Sequence, residues 1–172
     1  MDINRTTRYR DKRRTNEDEG IGIVVTLAVI IEDEHSIAEV IKEILKEIGM
    51  EVLCASNVAD GARLLKAHQP DIAIIDVQLR GGSGIGHIEI AADRDIPVLM
   101  ITGHPEAADE LARFDVPALF KPFGIRDLKR AAKLIMADKA TYISRISDAV
   151  AGMTIERAAC IAPISDSPGS AH

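Results

Sequence analysis

Apolar positions along this chain follow two rhythms in turn. Residues 26–31 form an unbroken apolar run that stops at Glu32-Asp33-Glu34, the pattern of a strand covered on both faces. Ile37, Val40, Ile41, Ile44, Leu45 and Ile48 then recur at helical spacing, with Glu39, Lys42, Glu43, Lys46 and Glu47 opposite them. That is an amphipathic helix, and Gly49 ends it. Residues 52–55 read as a second strand with Cys54 as a small core residue, and 59–68 as a second helix closed by Pro70. A third strand, 71–75, runs into Asp76. Residues 87–93 predict a short helix, 97–101 a fourth strand, and 105–114 a helix with Pro105 in its first turn. Ala118–Phe120 predicts a fifth strand. Residues 125–136 predict a fifth helix, with Ile125, Leu128, Ala132, Ile135 and Met136 as its inner stripe. Such regular strand–helix alternation with short connections argues an α/β fold: a parallel sheet with helices on both faces.

The flanks read differently. Residues 1–24 are expected to be a flexible basic arm, since residues 1–14 hold six Lys or Arg against two Asp. The apolar stretch 21–31 is far short of the ~20 residues that span a bilayer, and it ends in acids without a small-residue cleavage site, so a buried strand is the reading and no membrane contact is expected. Residues 139–172 are expected to be an extension, partly helical and then disordered; "ISRISDAVAGM" either extends the fifth helix or forms another. The domain itself is placed at 25–138.

Composition narrows the classes. Of 172 residues, 47% are hydrophobic and only 3% aromatic, so the core must be built from Ile, Val, Leu and Ala. A net charge of −6 and no defensible helix-turn-helix argue against direct DNA binding. Two cysteines make neither a disulfide framework nor a metal spacing, which sets a cytoplasmic location as the expectation.

The glycine-rich "RGGSGIG" at 80–86 resembles a phosphate-cradling turn, but its placement is wrong for a dinucleotide site. It follows the third strand, not the first, and the next strand ends in "LMITG" without a ribose-binding acid. The glycines serve instead as a crossover in which positive φ is available. The informative residues are at the strand ends: Glu32 and Asp33, Asp76, Thr102 and Lys121. In an open parallel sheet ligands bind outside the carboxyl ends of the strands, and these five side chains converge there if strands one, three, four and five are neighbours. Three crowded carboxylates repel, and a divalent cation relieves them. Oxygen-only ligands favour Mg²⁺, with the Gln78 main-chain carbonyl completing the set. Asp76 can then act as a nucleophile on phosphorus, Lys121 as the balancing cation and Thr102 as a hydroxyl donor.

"VIIEDE", "DIAIIDVQL", "VLMITG" and "LFKPF" together resemble the receiver domain of two-component response regulators, over roughly 25–138. The resemblance implies a flavodoxin-like (βα)5 doubly wound sheet with strand order 2-1-3-4-5. It implies phosphorylation of Asp76 by a sensor histidine kinase or a histidine phosphotransfer protein, a cis Lys121-Pro122 bond, and a stand-alone signalling switch that acts on a downstream protein by contact. Such a domain catalyses only its own phosphotransfer and dephosphorylation. The alternative is a relay intermediate or phosphate sink that hands the group to a histidine phosphotransfer protein. Three departures stand out: Glu32 where the acidic pair is often Asp-Asp, Ala118 where an aromatic ring usually swings inward with the Thr, and Arg80 where the loop usually has Pro. Ala118 shifts the expected rearrangement toward the loop after Thr102 and the fourth helix. Gln78 and His104 flank the acceptor, at places that in the family tune phosphate loss.

Overall fold

The computed structural model describes residues 26–159, with side chains to residue 152; the basic arm 1–24 and the end of the C-terminal extension lie outside the described residues. Five parallel strands form one sheet: β1 (Thr26–Ile31), β2 (Met50–Ala55), β3 (Ile72–Asp76), β4 (Val98–Thr102) and β5 (Ala118–Phe120). Their order is 2-1-3-4-5, the flavodoxin-like arrangement expected from the sequence. Five helices alternate with them: α1 (His35–Lys46), α2 (Val58–Ala67), α3 (Gly86–Ala92), α4 (Ala108–Arg113) and α5 (Ile125–Ala137). A 3₁₀ turn, Pro105–Ala107, leads into α4, so the predicted 105–114 helix is split. Proline tolerates this start because its missing N–H is unpaired in a first turn anyway.

The sheet is buried on both faces, and the strands divide their side chains accordingly. Val29, Ile31, Ala73, Ile75, Val98 and Met100 pack toward α2, α3 and α4. Ala28, Ile30, Ile72, Ile74, Leu99 and Ile101 pack toward α1 and α5. Each fully buried Ile or Leu contributes about 1.5–3 kcal/mol relative to exposure, which is how a core almost without aromatic rings suffices. The helices bury narrower stripes than their periodicity suggested. Val40 on α1 and Ile125 at the start of α5 are exposed, because each sits at the margin of its helix's stripe, where none of the described elements covers it. Cys54 is exposed as well, a correction to its reading as a core residue. β2 is an edge strand, paired only with β1, and its outer residues have less cover than those of β1 or β3.

Beyond α5 the chain forms a separate helix, α6 (Lys139–Ala159), so "ISRISDAVAGM" belongs to another helix and not to an extended α5. It packs against both α5 and α3. Tyr142 meets the cluster on the α1/α5 face, while Ile146 is buried in the cluster on the α2/α3/α4 face. Arg145 bonds both carboxylate oxygens of Asp115, in the connection before β5, and stacks 5.8 Å from the Tyr142 ring centroid.

Candidate functional site

Register brings the strand ends level. Ile31 pairs with Ile75, and Asp76 with Ile101, so Glu32, Asp76 and Thr102 emerge side by side at the carboxyl edge. The Lys121 N–H donates to the Thr102 carbonyl at 2.7 Å, which carries β5's last turn into the same rim. The Lys121-Pro122 peptide bond is cis, as the sequence resemblance implied.

At that rim Glu32 is 2% exposed, Asp76 6% and Thr102 0%. Two buried carboxylates need a partner, and they share one: Lys121 Nζ lies 2.5 Å from Asp76 Oδ2 and 2.7 Å from Glu32 Oε2. Main-chain amides complete the shell. The Glu34 N–H donates to Glu32 Oε1 at 3.1 Å, and the Gln78 N–H to Asp76 Oδ1 at 3.1 Å. Burial pushes the Glu32 carboxyl above its ordinary value, against the hydrogen bonds from Lys121 and the Glu34 amide, and the nearby Asp76 charge adds to the rise. Burial acts to lower the Lys121 ammonium, but hydrogen bonds to Asp76 and Glu32 outweigh it and its value is raised. Lys121 is therefore a fixed positive charge.

Asp33 is half-buried beside this pair, and Glu32, Asp33 and Asp76 each offer a carboxylate oxygen within 4.8 Å of the others. Three hard oxygen donors converging at that range fit a small divalent cation such as Mg²⁺. The cleft over them is lined also by Glu34, Gln78, Arg80, Gly103, His104 and Lys121. Thr102 stands behind that lining, its hydroxyl oxygen accepting the His104 N–H at 3.0 Å. The His104 ring turns outward to Glu106, with Nδ1 2.7 Å from Oε1, away from the position of a general base at Asp76. Arg80 reaches Asp33, Nε to Oδ2 at 3.8 Å, with its side chain 78% exposed. Ala118 is half-buried and packs against the core.

The glycine loop has a structural purpose here. Residues 78–79 and 82–83 pair as a two-residue antiparallel ladder, and the turn between them uses Gly81 at φ 91° and Gly82 at φ 139°. Gly84 folds back under Asp76 and donates its N–H to the Val77 carbonyl at 2.8 Å. A β-carbon there would fall 1.9 Å from the Asp76 carbonyl oxygen. His87 holds the turn from below: its Nδ1 is 3.0 Å from the Gly84 carbonyl and its Nε2 2.9 Å from the Val58 carbonyl at the start of α2. Gly61 makes room for that ring, since a β-carbon at 61 would lie 2.8 Å from Nε2. This His87–Gly61–Gly84 support was missed from sequence, where one histidine in a short helix and one helical glycine carry no distinguishing signal.

The model of the response regulator receiver domain matches residues 28–133. The "probable transcriptional regulator ycf27" of Guillardia theta is 28% identical over 125 residues, 69% of this chain and 49% of that protein. Its counterpart from Porphyra purpurea is 28% identical over 119 residues, 66% and 49% respectively. The chain thus spans about half the length of the curated relatives it matches. Among solved structures, a receiver domain protein from Clostridium thermocellum aligns with TM-score 0.60 and 28% identity, covering 68% of this chain and 98% of that one. A CheY-like receiver domain from Methanospirillum hungatei aligns with TM-score 0.63 at 20% identity, covering 68% and 98%. The response regulator TrrA of Thermotoga maritima, crystallised in complex with Mg(2+)-BeF, aligns with TM-score 0.57 at 24% identity, covering 64% and 99%. With the family model spanning more than half its length and an acid–lysine rim at the carboxyl edge of a 2-1-3-4-5 sheet, this chain belongs to the response regulator receiver domains.

Proposed function

We propose that Asp76 accepts a phosphoryl group from the phosphohistidine of a sensor histidine kinase or histidine phosphotransfer protein, and that the phosphorylated form signals through protein contact. The observation that carries this reading is the Lys121 ammonium 2.5 Å from Asp76 Oδ2. In the transfer, a carboxylate oxygen of Asp76 attacks phosphorus and a P–O bond forms. The P–N bond breaks, and its electron pair leaves with the imidazole nitrogen. Lys121 stays beside the new ester and offsets the added negative charge. Thr102, one residue beyond the level of Asp76, offers its hydroxyl proton to a phosphoryl oxygen.

Glu32, Asp33 and Asp76, with the Gln78 main-chain carbonyl, are the residues that would hold Mg²⁺; the ion supplies charge neutralisation for the phosphoryl oxygens during transfer. In the absence of an aromatic ring at Ala118, the rearrangement is assigned to the Gly103–His104 loop and α4 rather than to a side-chain swing; crystal structures with and without a beryllofluoride phosphate mimic test that assignment.

The deciding experiment incubates the protein with Mg²⁺ and a small-molecule phosphodonor, then with a panel of phosphorylated kinases, and reads intact mass. A single phosphoryl adduct that is absent in Asp76→Asn supports the proposal. A wild-type protein that never gains the adduct overturns it.

A further inference from the structure

The rim carries two cations, and they are held very differently. Lys121 is 20% exposed and bonded to both buried carboxylates. Arg80 is 78% exposed, and among the described residues its one ion pair, to Asp33 at 3.8 Å, is longer than a hydrogen bond. Its main chain is nonetheless anchored. The Arg80 carbonyl accepts the Val58 N–H at 3.2 Å, which ties residue 80 to the first turn of α2, and the adjoining Gly81 makes a left-handed turn. The guanidinium therefore stands on a fixed base at the mouth of the cleft, and among the described residues its planar donor edge makes no hydrogen bond. An exposed ion pair of this length is worth little, so the side chain leaves Asp33 at small cost.

From this we infer that Arg80 is the donor-binding residue of the site. It exchanges Asp33 for the phosphoryl oxygens of the incoming phosphodonor as the cation settles among Glu32, Asp33 and Asp76. The inference rests on Asp76 as acceptor. Lys121 holds the acceptor side of the site, with two of its three ammonium N–H groups on Glu32 and Asp76, so the donor at the mouth of the cleft falls to Arg80. A guanidinium suits it, because its parallel N–H groups match two phosphoryl oxygens at once. The bond changes are those of transfer to Asp76: with acetyl phosphate as donor, the P–O bond to acetate breaks, its electron pair departs on acetate, and the Asp76 ester forms. Arg80 bonds the phosphoryl oxygens throughout and exchanges no proton.

Two readouts on Arg80→Ala and Arg80→Lys test it, and the exposed position keeps both variants folded. The first is phosphorylation by acetyl phosphate at saturating Mg²⁺, followed by intact mass as donor concentration is varied. Arg80→Ala is expected to raise the half-saturating donor concentration about three- to tenfold while leaving the limiting rate in place. Arg80→Lys recovers only part of that, since an ammonium lacks the paired edge. The second readout is Mg²⁺ binding by calorimetry without any donor. Removing the cation that competes for Asp33 tightens Mg²⁺ about two- to fivefold in Arg80→Ala, and Arg80→Lys stays near wild type. An unchanged donor dependence in Arg80→Ala, with Asp76 still phosphorylated, overturns the donor-binding role alone. Unchanged Mg²⁺ affinity overturns the exchange at Asp33. Failure of wild type to be phosphorylated at all, with Mg²⁺ binding intact, overturns the acceptor reading and this role with it.

Discussion

Gly84 lies directly beneath Asp76, so close that a β-carbon on residue 84 would stand 1.9 Å from the Asp76 carbonyl oxygen. No side-chain rotation relieves a clash with backbone, so Gly84→Ala must push the loop off the strand end. The expected cost is about 1–3 kcal/mol, the range of overpacked sites, seen as a lower urea midpoint. Gly86→Ala is the control. A β-carbon there meets nothing within 4 Å, and in the first turn of α3 it is expected to be neutral or slightly stabilising.

Glu32 offers a trade between stability and chemistry. Its carboxyl is raised by burial, so the folded state holds the proton more tightly than the unfolded chain and ionisation costs stability. The penalty is complete above the folded value, fades as pH falls through it, and is gone below the ordinary 4.5. Glu32→Gln is therefore expected to raise the unfolding midpoint of the metal-free protein at pH 7, with the gain vanishing near pH 4. The same variant loses a charged oxygen donor, so Mg²⁺ stabilises it less than wild type at equal concentration. Urea unfolding at both pH values, with and without Mg²⁺, reads all four quantities.

Removing Lys121 acts in the opposite sense. Lys121→Met leaves the Glu32 and Asp76 carboxylates buried side by side without their shared cation. Breaking a buried pair by deleting one partner costs about 3–5 kcal/mol, less here because the lysine is partly solvated. The expected result is a destabilised metal-free protein that recovers with added Mg²⁺ or at lower pH, where one carboxylate takes a proton. Thermal melts across a Mg²⁺ titration check this.

Among the described residues of the sixth helix, Ile146 is buried and Arg145 clamps Asp115 at the surface. Ile146 is 1% exposed, and Ile146→Ala is expected to cost about 2–4 kcal/mol. Arg145 holds the Asp115 carboxyl below its ordinary value by hydrogen bonding. That contribution is present above the ordinary 3.8 and is lost as pH falls through the lower folded value. Both groups are half exposed, so it is also weakened by salt. Tyr142, stacked under Arg145, supplies the signal. Its fluorescence is expected to change at acid pH in wild type and already at pH 7 in Arg145→Ala.

The His87 ring spans the Gly84 turn and α2 through two carbonyls. His87→Phe keeps the ring but removes the ring N–H donor that sits between these two carbonyls, at an expected cost of about 1–3 kcal/mol. Amide exchange should then speed up in residues 77–86 before it does in β1.

What the sequence determined was the alternation of elements and the chemistry at their ends. Continuous apolar runs at 26–31 and 72–75 could only be strands covered twice, and the polar residues that stop them had to sit at one edge of a parallel sheet. The acid–lysine rim was legible because each member is adjacent in sequence to the strand that places it. Tertiary structure alone decided how much each residue is covered. Val40, Ile125 and Cys54 match the apolar pattern yet face outward, because the pattern records spacing while burial depends on whether another element arrives. Whether the helical residues after the fifth helix extend it or form another was open in the sequence for the same reason: Tyr142 meets one face of the sheet and Ile146 the other, so these two do not mark a single stripe. The fit of Gly84 against Asp76, and of His87 into the gap at Gly61, depends on backbone approaching backbone across a loop. Periodicity cannot encode that, because it is a distance between chain segments and not a property of either one.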